Sequence, residues 1–221
     1  MHRFLFGLVI TAILPPIEDV YALDGVGEVK VFDQNSVAIE NAVVSLKPLF
    51  DVAQVSSKRL SFAMKQQDAL FEPFVLPIAT GATVSFPNLD EFRHHVYSFS
   101  KAKRFQLRLY GQDETKQIVF EKPGIVALGC NIHDNMLAYI YVTDLPFFGK
   151  TDTSGRVEFE NLPMGRYEIY VWHPDLKSAS DHAKGILDVG SENAGAMPNL
   201  VTLEMRKVRK RQLPPAEDNY S

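Results

Sequence analysis

The sequence places a thiol, an imidazole and a thioether at short, regular intervals. The segment Cys130-Asn131-Ile132-His133-Asp134-Asn135-Met136 has the pattern Cys-x-x-His-x-x-Met, and a further imidazole pair lies upstream in Phe92-Arg93-His94-His95-Val96. A thiolate, two imidazoles and a weak thioether are the ligand set of a blue-copper electron-transfer site. Soft sulfur ligands also favour copper over magnesium, calcium or manganese. The residue types therefore predict a metal site that binds copper.

The spacing has a physical reason. A cysteine at the end of a strand and a histidine on the following tight loop can turn back onto one ion, and Met136 can reach the same ion as a weak axial ligand. Adjacent residues of a strand point to opposite faces, so at most one of His94 and His95 can face the site. Zinc is the main rival metal because it also binds Cys and His, but it usually prefers a stronger fourth ligand than a thioether.

The composition excludes several other functions. The chain has 221 residues, of which 46% are hydrophobic and 23% charged, as in ordinary globular proteins. Its net charge of −4 argues against a protein whose main task is to bind nucleic acid. Its single cysteine cannot form an internal disulfide. The sequence contains no nucleophile elbow, zinc-protease motif or phosphate-binding glycine loop, so we expect a protein that is not an enzyme.

Residues 1–22 have the features of a secretory signal peptide. Arg3 precedes the apolar run Phe4–Leu14, which is too short for a bilayer because a spanning helix needs about 20 residues. Val20-Tyr21-Ala22 places small residues before a cleavage point. We expect export to the periplasm, a mature chain that begins near Leu23, and no transmembrane anchor. The alternative, an uncleaved anchor, is disfavoured because Pro15-Pro16 ends the apolar run.

The rest of the chain has the pattern of β-strands separated by turns. Apolar or alternating runs recur at intervals typical of sandwiches and barrels. The charged, proline-containing segment Lys207–Ser221 is predicted to be a disordered tail. The predicted strands are Gly27–Phe32, Ala42–Leu46, Phe74–Ile78, Thr83–Phe86, His94–Phe99, Arg104–Tyr110, Gly124–Leu128, Leu137–Val142, Arg156–Phe159, Arg166–Trp172 and Leu200–Met205.

Two separated segments resemble the carboxypeptidase-regulatory-like, or transthyretin-like, sandwich. The motifs are Ala42-Val43-Val44-Ser45-Leu46, Thr151-Asp152-Thr153-Ser154-Gly155-Arg156 and Asn161–Tyr167. These pieces are nearly adjacent in that family, so the resemblance implies that the residues between them are an insertion. A loop tolerates an insertion because its closure entropy grows slowly with length. The alternative, two domains in series, would require the segment before residue 60 to bury its own core, for which it is too short.

The intervening residues, about 60–143, resemble the cupredoxins. Thr83–Asn88 is similar to the strand that precedes the first ligand, and Phe92–Val96 is similar to the family's Phe-Pro-His-Asn-Val. The Cys130–Met136 loop has the short spacing of amicyanin rather than plastocyanin. The resemblance, which extends to periplasmic proteins labelled methylamine utilisation proteins, implies that the ligands are His94, Cys130, His133 and Met136, with His133 as the electron port. Arg93 and His95 stand where the family has Pro and Asn.

These observations together predict the following organisation and function. A cupredoxin-type Greek-key β-barrel, residues 59–143, is inserted into a smaller transthyretin-like β-sandwich formed by residues 23–58 and 144–206. The chain holds one type 1 copper and carries single electrons between redox partners, such as a periplasmic cytochrome c or a dehydrogenase. Two alternatives remain: a copper-binding or delivery module without redox cycling, and a structural, partner-binding sandwich that the metal braces.

Overall fold

The computed structural model describes residues 25–52, 61–177, 183–190 and 199–206. All of the named secondary-structure elements in these ranges are β-strands. The prediction of an all-β chain is confirmed for this part of the molecule. The predicted signal peptide and the predicted tail 207–221 lie outside the described residues. The strands are β1 (Gly25–Asp33), β2 (Val43–Pro48), β3 (Phe62–Ala63), β4 (Lys65–Gln67), β5 (Leu70–Glu72), β6 (Val75–Ala79), β7 (Thr83–Pro87), β8 (His94–Phe99), β9 (Arg104–Tyr110), β10 (Thr115–Val119), β11 (Gly124–Cys130), β12 (Leu137–Thr143), β13 (Phe147–Lys150), β14 (Arg156–Leu162), β15 (Gly165–Trp172), β16 (Ala183–Val189) and β17 (Asn199–Leu203).

The first two strands pair with strands from the end of the chain. One sheet has the order β14-β1-β17 and another the order β13-β2-β15-β16. β1 is antiparallel to β14 and parallel to β17, whereas β2 is antiparallel to both of its neighbours. Alternate apolar side chains of both sheets form one buried cluster, which includes Val29, Leu46, Tyr167 and Leu187. Long-range strand pairing therefore joins the two ends of the described chain.

The strands between residues 62 and 143 pair among themselves. They form sheets of order β10-β7-β3, β6-β12-β11-β8-β9 and β4-β5. A second buried cluster lies among them and includes Phe86, Val96 and Ile140 together with Cys130 and Met136. The predicted insertion requires pairing of this kind, but the transthyretin-like identity of the outer strands and the predicted domain bounds stay predictions.

An aromatic contact connects the two clusters. Tyr139 and Tyr141 of β12 lie against Trp172 at the end of β15, with ring centroids 5.8 and 5.5 Å apart. Phe74 meets Tyr139 edge to face at 5.7 Å. Such aromatic pairs contribute stability beyond the area that they bury. Because β12 is the strand that follows the Cys130–Met136 loop, this contact fixes the strand on which that loop ends.

Six strands were not predicted from the sequence, namely β3, β4, β5, β10, β13 and β16. β3, β4 and β5 have only two or three residues each, which is too short for a periodic pattern. β10 has the sequence Thr-Lys-Gln-Ile-Val, and none of its residues is fully buried. These strands form through pairing with a neighbour, and their own apolar alternation is too weak to reveal them.

Gly155 occupies a turn that only glycine fits without strain. Its φ is +75°, and a Cβ built on it would lie 2.5 Å from the backbone oxygen of Val31. We expect Gly155→Ala to lower the free energy of unfolding by about 3 kcal/mol, because a left-handed L-residue costs about 1–2 kcal/mol and displacing packed backbone costs about as much again. Urea unfolding followed by circular dichroism measures the loss.

Gly190→Ala is the matched control for this substitution. Gly190 also has a positive φ, +91°, but the three atoms nearest to a Cβ there would all belong to the side chain of Met164. Met164 is exposed and can move aside, so we expect a loss of only about 1 kcal/mol. Equal losses in the two variants would show that the contact with Val31 has no energetic consequence.

Candidate metal centre

Two neighbouring strands position the first two candidate ligands. His94 begins β8 and Cys130 ends β11, and these strands are antiparallel neighbours in which Cys130 pairs with Val96. The pairing continues into the loop, where the Asn131 N–H donates to the carbonyl oxygen of His95 at 3.0 Å. The sheet therefore brings together two side chains that are distant in sequence.

His133 lies on the loop between β11 and β12, and the fold returns it to the same place. Cys130 Sγ is 3.6 Å from His94 Nδ1 and 3.9 Å from His133 Nδ1. One ligand atom from each of the three residues lies within 4.8 Å of the other two. Three ligands in a plane around one ion, with bonds of about 2.0–2.3 Å, would be about 3.7 Å apart. Both measured sulfur–nitrogen distances are close to this value, so the donor set fits one copper ion.

The candidate ligands are shielded from water. His94 and Cys130 are buried, and His133 is the most exposed of the three at 9%. The ring of Phe92 covers both imidazoles, with centroid distances of 5.1 Å to His94 and 5.3 Å to His133. Burial in a medium of low dielectric constant strengthens the electrostatic interactions of a bound ion.

Met136 lies at the end of the same loop. It is buried in the cluster that contains Cys130, and its backbone N–H donates to the carbonyl oxygen of His133 at 3.2 Å. This hydrogen bond closes a turn that keeps the backbone of Met136 close to that of His133. Its assignment as the axial ligand stays a prediction.

His95 lies on the opposite face of β8 from His94. His94 and Val96 are buried and His95 is half-buried, which is the alternation expected of a strand. The Nε2 atom of His95 is buried and has no hydrogen-bond partner within the described ranges. Because it lies on the other face of the strand, His95 is not part of the group of donor residues formed by His94, Cys130 and His133.

Sequence reasoning missed Asp90. Its Oδ2 lies 2.8 Å from His94 Nε2, and its two carboxylate oxygens also accept the backbone N–H groups of Asp68 at 2.7 Å and Ala69 at 3.1 Å. Asp90 is itself buried. An acidic residue four positions before a histidine was visible in the sequence, but a loop has no periodicity that would indicate where its side chain points.

The surroundings of the thiol favour the thiolate. Burial raises the pKa of Cys130, but hydrogen bonds from His94, from the backbone N–H groups of Ile132 and His95, and from His133 outweigh this effect and lower the pKa to about 6. Burial also opposes the charged form of His94, yet its hydrogen bonds to Cys130 and Asp90 leave its pKa above the ordinary value. The thiolate is the form of cysteine that binds metals.

No protein-family model and no curated protein matches the chain. Among solved structures it is similar to a copper-containing nitrite reductase from Thermus scotoductus SA-01, with 29% identity over 44% of this chain and 25% of that chain and a TM-score of 0.37. A purple cupredoxin from Nitrosopumilus maritimus is 20% identical over 38% of this chain and 98% of that chain, with a TM-score of 0.33. A reduced Cu(I) form of an amicyanin variant is 16% identical over 45% of this chain and 98% of that chain, with a TM-score of 0.35.

Each of these similarities covers less than half of this chain. The chain spans about a quarter of the length of the nitrite reductase that it matches. One of the solved structures to which part of the chain is similar is a cupredoxin by name. The chemistry of the site rests on the donor atoms of His94, Cys130 and His133.

The pKa of Cys130 gives a prediction for the metal-free protein. Its thiol should lose a proton with a midpoint near pH 6, well below the ordinary value of about 8.5. Below this pH the thiol is protonated, and above it the thiolate absorbs in the near ultraviolet. A pH titration of that absorbance measures the midpoint, and Cys130→Ser gives the baseline because the chain has no other cysteine. A midpoint above pH 8 would contradict the inferred hydrogen bonds.

Proposed function

We propose that the chain is a periplasmic electron carrier whose single type 1 copper is held by His94, Cys130 and His133, with Met136 as a weak axial ligand. The observation that carries the proposal is the buried group of one sulfur and two Nδ1 atoms, with sulfur–nitrogen distances of 3.6 and 3.9 Å. Two imidazoles and a thiolate with a long axial thioether are typical of blue-copper sites. Copper in such a site supplies a one-electron couple between Cu(I) and Cu(II).

The residues of this chain perform three tasks in the proposed carrier. Cys130 and His94 supply ligands from paired strands, so their separation is set by the sheet. His133 supplies its ligand from a short loop that is hydrogen-bonded to β8 through Asn131. Phe92 excludes water from both imidazoles. A site built in this way needs little rearrangement when the charge of the metal changes.

The burial of the ligands favours a carrier over a delivery module. Transfer of copper to an acceptor protein requires the acceptor to reach the ligands, but His94 is completely buried and Cys130 almost so. An electron needs no such access. His133 is the most accessible ligand. The exposed apolar side chains of Ile132 and Leu137 lie near it in sequence, and the ring of the exposed Phe92 lies 5.3 Å from its imidazole. We propose that a redox partner, such as a periplasmic cytochrome c or a dehydrogenase, docks at this edge.

Export to the periplasm is part of the proposal and is supported by the sequence of residues 1–22. Arg3, the apolar run Phe4–Leu14 and Ala22 together have the pattern of a cleaved signal peptide. In the part of the chain that the structure describes, no helix has the length and apolar character needed to cross a bilayer.

The visible spectrum tests the site. The mature protein should develop an intense thiolate-to-copper band in the visible region when Cu(II) is added. Cys130→Ser should abolish the band because it removes the thiolate, and His94→Ala or His133→Ala should greatly weaken copper retention. His95→Ala is the matched control and should keep the band because His95 lies on the other face of β8.

Two outcomes would contradict this assignment. Loss of the band in His95→Ala with retention in His94→Ala would reverse the assignment of the first ligand. Colourless binding of Cu(II) by the unsubstituted protein would exclude a type 1 site.

Met136 distinguishes a redox carrier from a static metal brace. Axial ligands tune the potential of such sites, so Met136→Leu, which removes a weak donor to Cu(II), should raise the reduction potential. Met136→Gln supplies a stronger oxygen donor and should lower it. Voltammetry should show shifts in opposite directions, each of at least tenfold in the equilibrium constant, or about 59 mV for one electron. Potentials equal to that of the unsubstituted protein would show that Met136 only packs the loop.

A further inference from the structure

The side of His94 that faces away from Cys130 meets the buried carboxylate of Asp90. We propose that Asp90 is a positioning residue that holds His94 in the tautomer able to bind metal and lowers the reduction potential of the site. The second part of this inference rests on the proposed copper function. The first part concerns the metal-free chain and stands independently.

The hydrogen bonds of His94 determine its tautomer. A neutral imidazole carries one N–H, and an ionised carboxylate can only accept hydrogen bonds. The charged ring carries an N–H on both nitrogens and donates to both Asp90 and Cys130. In the neutral ring the remaining proton belongs on Nε2, because Nε2 lies 2.8 Å from Asp90 Oδ2 whereas Nδ1 lies 3.6 Å from Cys130 Sγ. Nδ1 of the neutral ring is then left with a free lone pair. Carboxylates in this position orient histidine ligands and increase their basicity.

Asp90 is itself held rigidly by the turn between β4 and β5. Its Oδ1 accepts the N–H of Asp68 and its Oδ2 accepts the N–H of Ala69. Both turn residues have positive φ values, 54° and 53°, and this conformation is unusual for residues other than glycine. The carboxylate therefore cannot rotate away from His94 without leaving two backbone donors unpaired.

A second set of hydrogen bonds fixes the backbone around Asp90. Its N–H donates to Asn88 Oδ1 at 2.9 Å. The side-chain amide of Asn88 in turn donates to the carbonyl oxygens of Phe92 at 2.8 Å and Tyr110 at 3.0 Å. Asn88 is buried. The segment that carries Asp90 is thus held to β9, the strand beside His94.

The charge of Asp90 affects the two copper states differently. With the charges of the Cys130 thiolate and the Asp90 carboxylate, a Cu(II) site is neutral and a Cu(I) site has a charge of −1. Without the Asp90 charge, the corresponding values are +1 and zero. Net charge is costly to bury, so the carboxylate favours the oxidised state and its removal favours the reduced state.

Asp90→Asn tests the inference in the full mature chain loaded with copper. The asparagine is similar in size but neutral, so the reduction potential should rise by at least a tenfold change in equilibrium constant, about 59 mV. Asp68→Asn is the matched control, because it removes the same charge from an exposed side chain of the adjacent turn and retains the backbone donor. It should shift the potential by less than half as much. Asp90→Glu keeps the charge and should lie closer to the unsubstituted protein than Asp90→Asn does.

Nitrogen NMR of the metal-free protein provides a readout that copper does not enter. In mildly alkaline solution, the unsubstituted protein and Asp68→Asn should show His94 protonated at Nε2. In Asp90→Asn that tautomer should lose population to the one protonated at Nδ1. If Asp90→Asn does not fold, the tautomer in the unsubstituted protein decides.

The outcomes separate this inference from the proposed function. Equal potential shifts in Asp90→Asn and Asp68→Asn would overturn the role of Asp90 in the potential. A His94 protonated at Nδ1 in the unsubstituted, metal-free protein would overturn its role as a positioning residue. If voltammetry shows no Cu(I)/Cu(II) couple, the proposed function is wrong and so is the predicted effect of Asp90 on the reduction potential. The NMR result would still decide the tautomer of His94.

Discussion

The antiparallel pairing of β8 with β11 is the constraint on which the site depends. It places Cys130 opposite Val96 and so brings the thiol to within 3.6 Å of an imidazole that is distant in sequence. Register is strict in such a pair, because a slip of one residue would turn every side chain to the other face. A slip in β8 would replace His94 with His95 at the site. Burial of Val96 in the same cluster as Cys130 opposes that slip.

The second requirement is that a short loop return a third ligand to the same place. The loop after Cys130 achieves this with few residues because its first amide is bonded to β8 and its last is bonded within the loop, from Met136 to His133. Strand, loop and strand then form one continuous unit, β11 to β12. The aromatic contact at Trp172 supports that unit from the other cluster. The candidate ligands are therefore held by the sheet, by the loop and by a contact far from the candidate metal centre.

Much of this arrangement could be predicted from the sequence. The spacing of Cys130 and His133 indicated a metal loop, and the motif around His94 indicated the first ligand, because both signals are local. Strands with strong apolar alternation, such as β8 and β12, were also predicted. Asp90 was missed because its role depends on the turn at Asp68 and Ala69, which reaches it only through tertiary folding. Short polar strands such as β4 were missed because they exist through pairing with a neighbour.

The contact between the two buried clusters has an optical consequence. Trp172 is the only tryptophan of the chain, and it is buried against the rings of Tyr139 and Tyr141. Its fluorescence therefore arises from the boundary where the strands at the two ends of the described chain meet the strands between residues 62 and 143. Solvent entering that boundary would shift the emission to longer wavelength, whereas loosening elsewhere would leave it unchanged. The molecule thus carries an intrinsic reporter for the joining of its two halves.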